Sequence, residues 1–272
     1  MSIHVRAPAT TANLGAGFDC AAVALELWNE LEVSEGDGRP DRGHLGVQAF
    51  ERLAPVEGRR FAWTDRIPRR AGLGSSAATI ALGLVAATLA EGDEPEPERL
   101  LAAGVELEGH ADNLAAALAG GVCLTWEERI ARVADRVPAV PIAVVPAREV
   151  STAAARAALP DVIPHVDAAF SAGRAALLGA ALASGSEELF AAALQDRLHE
   201  PYRADGAPLL GRLRAELPPG ALGVTLSGSG PTVIVWARKA EAEACERWLR
   251  EHYTAESVLR LAVAAAGAGV SP

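Results

Sequence analysis

The residues whose types and spacing could do chemistry are concentrated at Pro68-Arg69-Arg70-Ala71-Gly72-Leu73-Gly74-Ser75-Ser76-Ala77-Ala78, which runs straight into an uncharged Ala/Leu/Val-rich stretch. Two glycines let a backbone turn sharply and approach a ligand closely. A helix opening at Ser75 would present unpaired N–H groups and the positive end of its dipole, a ready anion site. Ser75 and Ser76 add hydroxyls for a phosphate or a Mg²⁺ ion. Lys239 is the only lysine in the chain, so a phosphate loop of the Gly-Lys-Ser/Thr kind is excluded, and any triphosphate must be held by backbone and hydroxyl groups. Gly72-x-Gly74-x-x-Ala77 also fits the loose dinucleotide fingerprint. That fingerprint should follow a hydrophobic strand directly, whereas Pro68-Arg69-Arg70 precedes this one, and no strand-end acid follows at the right distance.

The elements that must position this loop can be read from periodicity and turn residues. Ile3–Val5 predicts a first strand, and Pro8, Gly15 and Gly17 predict a loop from Ala7 to Asp19. A second strand is expected over Glu30–Glu35, then a turn at Gly36-Asp37-Gly38 and a short helix near Val47–Leu53. The even apolar stretch Ser75–Leu89 predicts a buried helix. Another helix should run from Pro95 and Pro97 to about Glu108, and strands are expected at Val122–Trp126 and Ile142–Val145. Beyond residue 147 the texture changes to helices at 151–158, 162–183, 187–198 and 208–217, then strands and a helix to residue 263. The chain therefore predicts an α+β fold in two domains, 1–147 and 148–272.

Half of the 272 residues are hydrophobic and only 4% aromatic, so the core must be built from Ala, Val, Leu and Ile. A formal net charge of -10 argues against nucleic acid and anionic membranes as partners. The apolar stretches read as interrupted by charge or Gly before the ~20 residues of a membrane span. The N-terminus lacks the apolar region of a signal peptide. The cysteines Cys20, Cys123 and Cys245 have no metal-like spacing, and a reducing cytoplasm is the expected location.

Several stretches together resemble the GHMP kinases, and within them the homoserine-kinase branch. Pro68–Ala78 resembles the family's phosphate loop. Ala7-Pro8-Ala9-Thr10-Thr11-Ala12-Asn13-Leu14-Gly15-x-Gly17-Phe18-Asp19 is similar to the branch's first motif. Glu108-Gly109-His110-Ala111-Asp112-Asn113, Ser151-Thr152-x-x-x-Arg156 and His199-Glu200-Pro201-Tyr202-Arg203 resemble further signatures of the branch, and Leu226–Thr232 resembles the superfamily's C-terminal glycine motif. Residues 36–60 look short for the family. Taken singly, His110 reads as a satisfied loop histidine, Arg156 as a solvated helix arginine and Asp19 as an N-cap; the joint pattern outweighs these readings.

The resemblance implies a ribosomal-S5-domain-2-like N-terminal domain, a ferredoxin-like C-terminal domain and an active site between them. It implies phosphorylation of a small alcohol, L-homoserine, by ATP and Mg²⁺, and an association into dimers that the family often shows. Ser76 is then the hydroxyl ligand of Mg²⁺, with Glu106 as its carboxylate partner, or Glu108, because the segment's spacing allows either. Arg156 and Arg203 suit the substrate carboxylate, since a planar guanidinium donates two parallel hydrogen bonds. Asp19 suits the ammonium or hydroxyl end, and Asn13, His110, Asn113 and Thr152 orient the rest. The other readings are a GHMP kinase for a different alcohol and a non-catalytic ligand-binding relative.

Overall fold

The computed structural model describes residues 2–36 and 38–272; Asp37, in the expected turn, lies outside the described residues. In chain order the elements are β1 (Ser2–Asn13), β2 (Gly17–Glu35), α1 (Leu45–Glu51), β3 (Arg59–Thr64), α2 (Ser75–Ala90), α3 (Pro97–Glu108), α4 (Asp112–Ala119), β4 (Val122–Trp126), β5 (Arg129–Ala134) and β6 (Val140–Val145). They continue as α5 (Thr152–Ala157), α6 (His165–Ser184), α7 (Glu187–Ala193), α8 (Glu200–Arg203), α9 (Pro208–Ala215), β7 (Ala221–Leu226), β8 (Val233–Ala237), α10 (Ala242–His252), β9 (Ser257–Arg260) and β10 (Gly269–Val270).

The first sheet has the order β10-β1-β2-β4-β5, and β3 pairs with the far end of β2. The loop expected from Ala7 is instead strand as far as Asn13. Pro8 is accommodated because the register with β2 shifts between Pro8 and Ala9, where no ladder N–H is needed. Only residues 14–16 turn, between β1 and β2.

The second sheet is antiparallel with the order β7-β8-β6-β9. Numbered within this unit, the strands run 2-3-1-4, the ferredoxin-like arrangement. β6 supplies its first strand, so the chain changes sheets between residues 134 and 140, ahead of the boundary read at 147. The chain end then returns to the first sheet as β10, beside β1.

Strand periodicity explains how one sheet serves two cores. On β6, Ile142 and Val144 face the smaller core while Ala143 and Val145 join the main one; on β8, Val233 and Val235 oppose Ile234 and Trp236 in the same way. The main core therefore runs without a break from β1 and α2 into the second sheet. α2 is apolar on every face and buried along most of its length, as the even stretch from Ser75 predicts. Among the described residues one helix, α6, is long and apolar enough by length and composition to cross a membrane, although Asp167, Gly173, Arg174 and Gly179 interrupt it. Its two charges are engaged: Asp167 with Arg197, and Arg174 with the Ala192 carbonyl.

α1 crosses α2 with almost no clearance. A Cβ on Gly83 would lie 2.1 Å from the Gly46 carbonyl oxygen and 3.0 Å from the Ala49 Cβ. Helix propensity alone makes Gly83→Ala stabilising by about 1 kcal/mol. Overpacking against backbone costs about 1–3 kcal/mol, so the variant should unfold at lower denaturant, which a urea midpoint measures.

Candidate active site

The cleft forms where the glycine loop meets both sheets. Gly72 and Gly74 take left-handed conformations, with φ of 85° and 67°. Gly74 is the N-cap of α2 and supplies no side-chain acceptor. The first free intrahelical bond runs from Ala78 N–H to Gly74 O, so the N–H groups of residues 75–77 remain for an anion.

Four of the loop's carbonyls are taken up by donors outside it. Arg70 O accepts from Val150 N–H at 3.3 Å, Ala71 O from Thr232 N–H at 3.1 Å and Leu73 O from Thr10 N–H at 3.1 Å. Gly72 O accepts from the Ser227 hydroxyl at 2.6 Å. Leu73, Ala77 and Ala78 are fully buried, so they serve the site through backbone alone. Arg70 lines the cleft, whereas Arg69 turns away to pair with Asp65. Pro68 stands at the entrance of the loop without a cleft contact.

The cleft has a volume of about 280 Å³ and is lined by Gly74, Ser76, Glu108, His110, Asn113 and Thr152, among others. Ser76 Oγ donates to Glu108 Oε2 at 2.6 Å. The Glu108 side chain is only 6% exposed, and burial pushes its carboxyl above the usual range; the nearby His110 and the Ser76 bond oppose that push. A buried carboxylate beside a hydroxyl, facing an anion cradle, is a hard-oxygen pair of the kind Mg²⁺ takes while keeping waters and phosphates as its other ligands.

Glu106, the carboxylate first expected there, is 75% exposed and pairs with Arg52 at 2.9 Å. Two residues on a helix point about 200° apart, so once Glu108 faces the cleft Glu106 must face away. The structure thus turns Glu106 out of the cleft and Glu108 into it.

His110 lies between two carboxylates, with Nδ1 3.3 Å from Asp112 and 3.9 Å from Glu108. The approach to Asp112 is too poorly directed for a hydrogen bond, and Nδ1 is buried without a partner. Burial alone would lower the His110 pKa; Asp112, and after it Glu108, outweigh that and raise it.

Of the remaining expected residues, Thr152 lines the cleft itself, whereas Asn13, Asp19, Arg156 and Arg203 stand outside its lining, Asn13 and Arg203 adjoining it through Gly228. Asp19 and Arg156 form an ion pair at 2.9 Å. Asp19 N–H donates to Asn13 Oδ1 at 3.1 Å, and Asn13 Nδ2 donates to Gly228 O at 3.0 Å. Arg203 is 5% exposed. Its Nε donates to Ala155 O, and one Nη donates to Gly228 O and to His199 Nδ1. Arginine can only donate, so His199 is the Nε2–H tautomer, which donates to Gly15 O at 2.9 Å. Phe18 stacks on His199 at 5.0 Å with Arg203 across its other contact. Thr152 opens α5 behind the N-cap Ser151.

Sequence reasoning passed over Thr10, Asp112 and Ser227, although each sits inside a motif it quoted. Their hydroxyl and carboxylate groups within those motifs were the available signal.

Known proteins match this arrangement. The GHMP kinases N terminal domain pattern matches residues 45–121, and the GHMP kinases C terminal pattern matches residues 169–255. A homoserine kinase of Streptomyces avermitilis is 40% identical, across 100% of this chain and 96% of that one. The crystal structure of a homoserine kinase from Cytophaga hutchinsonii superposes with a TM-score of 0.87 at 27% identity, covering 99% of this chain and 97% of that one. A mevalonate kinase from Methanococcus jannaschii shares the fold, with a TM-score of 0.72 at 13% identity over 97% of this chain and 98% of that one.

A side chain on Gly74 would put its Cβ 1.8 Å from Thr10 Oγ1. Gly74→Val should therefore lose MgATP affinity while the protein stays folded, as the strain falls on a cleft loop. Calorimetry with a melting curve tests this; wild-type affinity in a folded variant would refute the loop's phosphate role.

Proposed function

The chain belongs to the homoserine kinases of the GHMP kinase family, and on that premise we propose how its residues divide the reaction. The protein transfers the γ-phosphoryl group of ATP to the side-chain hydroxyl of L-homoserine, giving O-phospho-L-homoserine for threonine biosynthesis. Phosphoryl transfer needs little covalent help, so positioning and charge neutralisation carry the rate.

The free N–H groups at the start of α2 receive the phosphates. Ser76 and Glu108 would hold Mg²⁺, which would supply neutralisation of negative charge on the phosphates. The observation that carries the substrate assignment is the Asp19–Arg156 pair. Homoserine brings one carboxylate and one ammonium, so its binding exchanges one internal ion pair for two intermolecular ones. Arg156 takes the carboxylate together with Arg203, and Asp19 takes the ammonium or hydroxyl end. Asn13, His110, Asn113 and Thr152 orient what remains. A coupled ATPase screen over homoserine, mevalonate, shikimate and galactose tests the reading: homoserine alone should stimulate turnover.

The two candidate carboxylates separate cleanly. Glu108→Gln should lower turnover by about 100-fold or more and shift the Mg²⁺ dependence to higher concentration. Glu106→Gln, on the surface, should titrate with Mg²⁺ as the wild type does. The opposite result would return the metal to Glu106.

The two arginines also differ. Arg156→Leu should raise KM for homoserine by about 10- to 100-fold, from loss of a charge-assisted contact, at an unchanged melting temperature. Arg203→Leu should raise it too, but should also melt earlier, because Ala155 O and Gly228 O lose a buried donor. An unaltered homoserine KM in Arg156→Leu would remove Arg156 from the substrate site.

A further inference from the structure

Thr10 touches both halves of the cleft. It is fully buried in β1, and its Oγ1 lies 2.6 Å from Asn113 Oδ1. The far end of that amide settles which atom donates. Asn113 Nδ2 is 3.3 Å from Asp112 Oδ1, the same oxygen that accepts the Asn113 backbone N–H at 2.6 Å. An acceptor there requires the NH₂ on that side, so the amide oxygen faces Thr10 and the threonine hydroxyl donates.

Two neighbours therefore fix one orientation of Asn113, whose Nδ2 lies on the side of Gly228; both residues line the cleft. On its other flank the Thr10 hydroxyl packs against Gly74, where an added Cβ would come within 1.8 Å. Its backbone N–H meanwhile holds the Leu73 carbonyl.

We propose that Thr10 is a positioning residue for the phosphoryl transfer: its hydroxyl locks the Asn113 amide with the NH₂ toward the acceptor side, and so keeps the substrate-facing amide in step with the seated glycine loop. The inference rests on the reading of Asn113 as a residue that orients the substrate. It assigns the glycine at position 74 a second task, since no larger residue leaves room for the hydroxyl that holds Asn113.

Thr10→Ala removes the hydroxyl but keeps the backbone bond to Leu73. Thr10→Ser keeps both. Kinetics of these two, of Asn113→Ala and of Thr10→Ala/Asn113→Ala, with melting curves, give the test. The expected kcat falls by about 10- to 100-fold in Thr10→Ala, the range for an acceptor left unpaired in a buried site. KM for ATP should stay close to wild type, Thr10→Ser should restore kcat, and the double variant should be no slower than Asn113→Ala.

Thr10→Ser as slow as Thr10→Ala, or losses that multiply in the double variant, would overturn the proposal. Impaired Asn113→Ala beside a normal Thr10→Ala would overturn it while leaving the substrate reading intact. Wild-type turnover in Asn113→Ala would remove both.

Discussion

Four consecutive carbonyls of the glycine loop, from Arg70 to Leu73, accept hydrogen bonds from donors outside the loop. In a planar trans peptide the C=O of one residue and the N–H of the next point in opposite directions. Tethering the carbonyls of 70–73 on one side therefore turns the N–H groups of 71–74 to the other. The donors come from β1, from the segment after β6 and from the turn between β7 and β8, so the anion cradle exists only while both sheets are docked. A chain with Lys239 as its only lysine has no loop lysine to substitute for that geometry.

Left-handed backbone collects around the turn between β1 and β2. Asn13, Leu14 and Asp19 are non-glycine residues with φ of 74°, 45° and 55°, each costing on the order of 1–3 kcal/mol. They persist because their surroundings over-determine them: Asn13 is held by Gly228 and in turn holds the Asp19 N–H. Gly228 O also accepts from Arg203, and Gly228 N–H donates to Ala12 O. One glycine of the C-terminal motif thus ties the first motif to the arginine that α8 carries. Glu200 secures α8 from below, accepting from Leu226 N–H at 2.7 Å and pairing with Arg214.

How much of this could be read in advance depended on whether the signal was local. The glycine loop was legible because its composition is its mechanism: glycines, hydroxyls and an apolar helix in immediate succession. The mixed fold and the buried helix after Ser75 were legible from periodicity. Glu108 was not, because Glu106-Leu107-Glu108 offers two carboxylates and only the packing of α3 decides which one faces inward. β1 was misread as loop from Ala7, since Pro8 and the glycines punctuate a strand whose partner, β2, lies across the turn. β3 went unseen although Arg59–Thr64 alternates in burial; its arginines disguised a strand whose inward face is Phe61 and Trp63. Thr10 could not be assigned at all, as its partners lie 63 and 103 positions away.

Glu108 shows why the candidate metal pair and the loop cannot be treated as separate parts. A carboxyl so buried is pushed toward its neutral form; His110 opposes that push first, and after it the hydroxyl of Ser76, bonded to Glu108. A divalent cation between the two would reverse the balance, because an opposite charge nearby favours the ionised form more than a hydroxyl does. Ser76 belongs to the first turn of α2, within two residues of the glycine whose conformation the tethers fix. The burial of Glu108 is therefore sustained by the fold, and a divalent cation bound with the nucleotide would favour its ionised form at the point where the phosphates would be seated. Positioning and electrostatics share one set of residues here, which is what a transfer that relies on both requires.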